Sequence, residues 1–501
     1  MPQDSQHNPM KITCPRDWAG MFFLGGSDIP SGARHVAMPQ LSLAVFDPLR
    51  TIPVHEATGR QIGIFLGTPV DQRAGTISQD CITLPELPAA DLDAFIEKQI
   101  YAFTGSFIFV LDIPGAQRIY LDACGSLSAV YEPGTGRAAA ISSQLVKSAD
   151  VEARFDRELY ETLRVDRDGW FPAGLTAHHG ISRLLPNHYL DLETGMAVRH
   201  WPRADIPRTT DPEGACAAIL AVTRSTIGAV ARSAPVSVAL TAGNETRMLL
   251  AATHNLPGDF SFVTVAAEGV ELDRIRAEEL SDRFTLPHRL ISLKYADTKG
   301  QQDWRARTGF SLGGPHTRTH PTRQQLRDRP YFIGGLGGEI GRAFFWRKTD
   351  TDSTPIDAKG IWARMGMPPH PRGIEAISDW LDALRRDSGD LPTLLILDLA
   401  YLEIRMGCWG FALSYTYTAP TDIHPLIGRE SFAAMLSLPP EWRRMQNGTN
   451  LMIQSVIRQG WPELLDLPIS RYGDFRDRVG FVRRVRRHPH LVAKKLRKLF
   501  G

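Results

Sequence analysis

From residue 235 onward the chain alternates short apolar runs with longer amphipathic stretches. Val236, Val238 and Leu240 alternate with small residues, and a small-residue turn then leads to Met248, Leu249, Leu250 and Ala252. That is the pattern of a strand feeding a helix. Residues 259–267 are rich in aromatic and β-branched side chains and predict a second buried strand. Leu272, Ile275, Leu280 and Phe284 lie at near-helical spacing in a charged stretch, and Pro287 separates this helix from a third strand at 288–293. Tyr331, Phe332 and Ile333 predict another strand, again running into glycines. Strands alternating with helices imply a parallel sheet with right-handed crossovers. Beyond residue 370 the pattern turns helical, over 374–384 and 393–405.

The first two hundred residues read differently. Residues 99–112 form an apolar run broken at Gly105, which predicts a pair of strands. Stretches 117–122, 129–131 and 138–143 predict three more, with turns at 123–126 and 133–136. Short strands at close spacing predict a β-rich domain. The expected organisation is therefore a β-rich α+β domain at 1–205, an α/β domain with a parallel sheet at 206–480 and a tail at 481–501.

Length and composition fit that division. At 501 residues the chain exceeds one typical core, and 43% hydrophobic with 22% charged residues is a globular composition. The polar start, Met1 to Pro9, lacks the apolar core of a signal peptide. The run Leu394–Leu397 is cut by Asp398, and no stretch reads as a bilayer span. Five cysteines, at 14, 81, 124, 216 and 408, show no close pair, which argues against a disulfide framework or a zinc site. A cytoplasmic protein is expected. Net charge is +2, yet residues 482–501 carry eight lysines and arginines and no acid, leaving −6 for the rest. Such a basic arm could touch an anionic membrane surface, or simply be a solvated terminus. No base-reading motif is visible, so no specific nucleic-acid partner is expected.

Candidate chemistry gathers at the two small-residue turns. Leu240, Thr241, Ala242, Gly243, Asn244, Glu245 and Thr246 join the first strand to its helix. Such a turn aims backbone N–H groups and a helix N-terminus at one point, where phosphate binds. An ordinary strand–turn–helix connection would look similar. Gly334, Gly335, Gly337, Gly338 and Gly341 surround Glu339, with Arg342 following. Glycines at that density let a backbone approach a ligand closely. His316 and His320 have helical spacing, but Gly313, Gly314, Pro315 and Pro321 predict a mobile loop there, and no metal site is expected.

These segments resemble the asparagine synthetase-like family, whose pyrophosphate loop reads Ser-Gly-Gly-x-Asp-Ser. Here it reads Thr241, Ala242, Gly243, Asn244, Glu245 and Thr246. The resemblance implies a PP-loop ATP pyrophosphatase domain, with ATP held by residues 240–246, Gly334 and Gly335. It implies Mg2+ on Glu245 and Glu339, two carboxylates from separate strand ends that suit an ion shared with phosphates. Asp273 could belong to the site or cap its helix, the reading favoured here. The helix containing Tyr401 to Trp409 and the turn Pro420–Leu426 resemble elements flanking the family's active site. The N-terminal part, with Asp122, Gly125 and the segment Gly180–His188, resembles a class II glutamine amidotransferase domain of the N-terminal-nucleophile sandwich type.

Three departures qualify what the resemblance implies. The family's glutaminase uses a cysteine exposed at the mature N-terminus, whereas the first cysteine here is Cys14. The family's proton-transferring acid aligns with Leu336. Its transition-state lysine has no counterpart in 446–452, leaving Arg443, Arg444 or Arg458 as substitutes. The expected function is an AMP-forming amide ligase without glutaminase activity, joining a small-molecule or peptide carboxylate to an amine. The competing expectation is an inactive nucleotide-binding scaffold or regulator.

Overall fold

The computed structural model describes residues 12–15, 18–25, 31–88, 90–415, 420–474 and 477, so the basic tail lies outside the described residues. Five strands, Val236–Ala239, Phe260–Ala266, His288–Ser292, Tyr331–Ile333 and Thr421–Ile423, form one sheet in which every pairing is parallel. Val236–Ala239 is central: the next two strands in sequence add on one side, and the last two on the other. The order therefore reverses between Val236–Ala239 and Tyr331–Ile333. At such a switch point the two connections leave in opposite directions and open a crevice at the carboxyl ends of the strands. Both glycine-bearing turns start there.

The N-terminal part is a sandwich of a six-stranded and an eight-stranded sheet. Phe22, Leu43 and Val45 from one sheet meet Ile64, Leu66, Ile108 and Val110 from the other. The opposite face of the eight-stranded sheet carries Phe65, Phe107, Phe109 and Tyr120, which join the core of the parallel-sheet domain. Burial on both faces explains why Gln61–Asp71 and Phe103–Ile113 are almost continuously apolar. The strand pair expected at 99–112 is instead one strand, Phe103–Ile113, preceded by the helix Leu92–Gln99. Gly105 bends it without breaking it: its φ is +90°, and a Cβ there would lie 2.3 Å from the Thr68 carbonyl oxygen.

The two parts share packing rather than a thin linker. The helix Pro212–Ser233 bonds to the sandwich through Thr226 and Thr104 (Oγ1–Oγ1 2.8 Å), and the Ser225 hydroxyl donates to the Gln72 carbonyl. Among the described residues it is the one helix long and apolar enough to cross a membrane, which the sequence reading did not single out. Here it is largely buried, with Ile219, Ile227 and Val230 in the core. The segment expected to be a loop at 313–322 is also helical, over Pro315–Thr319 and then His320–Leu326. Proline is compatible with the first turn, where its missing N–H has no helical acceptor to lose.

Candidate functional site

The crevice is built from the two turns at adjacent strand ends. In the first, Gly243 precedes the helix Asn244–Thr253. The first helical turn leaves N–H groups without intrahelical acceptors, so the amides of Asn244, Glu245 and Thr246 suit an anion. Thr241 Oγ1 lies 2.8 Å from Thr246 Oγ1 and accepts from the Gly243 amide at 3.0 Å, which fixes the loop's shape. The Asn244 side chain turns away, its amide donating to the Gly448 carbonyl (3.0 Å) and Ser470 Oγ (3.2 Å).

Asp273 departs from the role favoured in the sequence reading. Its helix, Glu271–Phe284, begins after Val270, so Asp273 lies in the first turn and is not the cap. Its Oδ1 accepts from the Ala242 amide at 3.0 Å, so it braces the loop and takes one of the loop's donors. Burial raises its pKa, and that hydrogen bond only partly offsets the rise.

The second turn sits tightly against the first. A Cβ on Gly335 would lie 2.5 Å from Glu245 Cβ, and one on Gly338 would lie 2.5 Å from Glu245 Cγ. A Cβ on Gly334 would lie 2.7 Å from the His424 ring. The glycines thus first make room for the protein itself. Glu245 and Glu339 converge on one cation: Arg342 Nε lies 2.5 Å from Glu245 Oε1, and Arg342 Nη2 lies 3.7 Å from Glu339 Oε1. Burial and then the nearby Glu245 charge push Glu339 up to about 6, with Arg342 only partly opposing them. One guanidinium for two partly buried carboxylates leaves negative charge in surplus. A divalent cation fits that donor set, with hard oxygen ligands and charge still to be met. Arg342, which follows the glycine cluster, is thus ion-paired with the two carboxylates.

The surrounding residues define what the site lacks. Leu336 is buried, and the Gly410 Cβ position lies 3.6 Å from its Cδ2 and 3.5 Å from Cys124 Sγ, so the aligned acid's place is taken by apolar contact. The three arginines suggested as lysine substitutes are engaged elsewhere. Arg443 is fully buried against Asp398 (2.7 Å) and donates to the Ile340 carbonyl, which steadies the chain beside Glu339. Arg444 donates to the carbonyls of Arg347 and Asp350. Arg458 faces Glu213 at 3.6 Å.

Sequence reasoning missed Tyr401 and Arg405 as a pair. They lie four residues apart on a wide π-type turn, Ala400–Met406, continuing the helix Thr393–Leu399. Tyr401 is buried and packs on Phe344 at 4.8 Å, and Arg405 Cζ lies 5.8 Å from the same ring. Burial and then the Glu339 charge raise the Tyr401 pKa, while Arg405 and Arg342 oppose them. A π-turn often marks a functional position, but its extra residue leaves no reliable trace in one sequence.

Comparison with family models and with curated proteins finds no match. Among solved structures, the chain is similar to NMN synthetase from Francisella tularensis, with 12% identity over 36% of this chain and 74% of that one, at a TM-score of 0.18. It is also similar to glutamine phosphoribosylpyrophosphate amidotransferase from B. subtilis complexed with ADP and GMP, with 11% identity over 60% and 63% of the two chains and a TM-score of 0.18. A third, the allosteric regulatory enzyme of purine biosynthesis, shows 10% identity over 63% and 71%, at 0.17. Such scores carry no functional argument.

Proposed function

We propose that the chain is an ATP-dependent, AMP-forming amide ligase. The observation that carries this reading is the convergence of Glu245 and Glu339, from the turns of two adjacent parallel strands, beside an open helix N-terminus. In this reading residues 240–246, with Gly334 and Gly335, hold ATP, and Glu245 and Glu339 hold Mg2+. When bound, the ion would neutralise phosphate charge. The Asn244–Thr246 amides would hold the departing pyrophosphate. An oxygen of the acceptor carboxylate attacks the α-phosphorus, the α–β phosphoanhydride bond breaks, and pyrophosphate leaves with the bonding electrons. An amine then attacks the acyl carbon, the C–O bond to AMP breaks, and the amine loses a proton. In this reading the amine is free ammonia or a group on the substrate, and Cys14, a half-buried thiol with Sγ 3.9 Å from Ser148 Oγ, takes no part.

The acceptor carboxylate should promote exchange of labelled pyrophosphate into ATP, and Glu245→Ala should lower that exchange at least a hundredfold. An apolar Leu336 and the absence of a lysine at 446–452 favour a second reading, a nucleotide-binding scaffold. Calorimetric binding of magnesium–ATP with no exchange for any carboxylate in cell extract would select the scaffold. No binding at all would remove both.

A further inference from the structure

A cavity of about 690 Å3 opens where three parts of the chain meet: the sandwich segment 163–170, the segment 312–316 and the helical region at 365–368 and 405–409. The walls close on one another through backbone contacts. Trp170 and Leu312 form an antiparallel bridge, and the Gly314 amide donates to the Asp166 carbonyl at 3.3 Å. Cβ atoms on Gly313 and Gly314 would lie 2.4 Å and 2.0 Å from the carbonyls of Val165 and Arg167. Only glycine permits this approach, so the cavity is a product of the way the two domains are fitted.

Its lining has a definite chemistry. Arg164 and Arg167 are exposed, while Arg405 is less exposed and stacks over the Trp170 ring with Cζ 4.3 Å from the centroid. Asp168 is the one carboxylate among the lining residues. Arg405 and Arg164 have no carboxylate within ion-pairing distance among the described residues, whereas Arg167 faces Asp166 at 3.7 Å. The His316 ring stacks on Trp409 at 6.0 Å; burial, and then Arg323, lower its pKa, so it adds little charge near neutrality. A cavity with surplus guanidinium and flat aromatic walls matches an anionic ligand with a planar body. Arg405 Cζ also lies 5.8 Å from the centroid of Phe344, two residues beyond Arg342, so the Arg405 side of the cavity borders the segment that follows the second turn.

We infer that this cavity is the acceptor site and that it takes an aromatic carboxylic acid, the carboxylate on Arg405 and the ring between the Trp170 and Trp409 walls. The acceptor role rests on the ligase reading, whereas the binding itself needs neither ATP nor metal. Saturation-transfer NMR and calorimetry on the full chain, without nucleotide, test it with a panel of aryl carboxylates headed by indole-3-acetate and 4-aminobenzoate, each beside its neutral carboxamide.

At least one acid should bind in the millimolar range or tighter, with its amide at least tenfold weaker. Arg405→Gln should weaken the acid at least tenfold and leave the amide unchanged, while Gly243→Val, in the nucleotide turn, should leave acid binding as it was. Should Arg405→Gln not fold, the exposed pair Arg164→Gln with Arg167→Gln gives the same reading through a smaller loss. Equal affinity for acid and amide, indifference to these arginines, or no acid bound across the panel would each overturn the inference. ATP binding and pyrophosphate exchange unchanged in Glu245→Ala, with acid binding intact, would sink the ligase reading alone.

Discussion

Two arginine–carboxylate clusters in this chain differ in how completely each charge is met. Between the domains, Arg199 grips Glu403 with both ends of its fork, at 2.7 Å and 2.6 Å. The same carboxylate accepts from Asn187 (2.8 Å) and from the Trp380 indole (2.7 Å), and both charged side chains are fully buried. Burial pushes the Glu403 pKa up, but Arg199, His188 and Asn187 together more than reverse this and the net shift is downward. Asn187 extends the network by accepting from Arg429, which also pairs with Glu97, a partner of His200. In the crevice, by contrast, one arginine serves two carboxylates, and the Glu339 pKa is raised rather than lowered. The first arrangement is complete within the protein and fixes how the domains meet. The second is left in want of positive charge, which is what the proposed magnesium site would use.

Breaking the complete cluster should have the largest effect. Glu403→Ala leaves Arg199 buried and unpaired, and should cost about 3–5 kcal/mol in urea unfolding. A loss within experimental error would mean that the network is not what joins the domains. Gly335→Ala comes next. Its methyl group must displace Glu245, at a cost of about 1–3 kcal/mol, and magnesium–ATP affinity measured by calorimetry should fall with it. Unchanged affinity would show that the position of Glu245 is not what the glycine protects.

The smallest effect has the opposite sign. Because burial and Glu245 raise the Glu339 pKa to about 6, its protonation favours the folded state. That contribution is fully present below the ordinary carboxylate value and is lost as pH rises through about 6. Glu339→Gln should therefore be more stable than the parent at pH 8 without metal, by up to about 2 kcal/mol. The advantage should vanish by pH 4, while magnesium-dependent nucleotide binding is lost. A Tm difference that ignores pH would contradict the coupling of the two carboxylates.

Much of this was legible along the chain. The strand at 236–239, the helix after it and the strands at 260–266, 288–292 and 331–333 follow local periodicity, so their existence and parallel pairing could be expected from residue spacing. Glu245 and Glu339 stood out through the resemblance, which implied a metal on both, and each sits in a small-residue turn that follows a strand. The single strand at 103–113 was not legible. A glycine of positive φ reads as a break, whereas here the pairing of the flanking residues with 61–71 carries the strand through it.

What the sequence alone determined is the repertoire: α/β alternation, two glycine-bearing turns and two acids to go with them. Only the tertiary structure decided how those charges are shared. Asp273 became a brace for Ala242, Arg342 a bridge between two carboxylates, and Arg443 a support for the Ile340 carbonyl. The same was true of the cavity, whose walls are separated by more than two hundred residues, from Arg164 to Arg405. The physical reason is range. Helix and strand signals act over a few residues, while ion pairing and burial depend on distances in space that only packing sets.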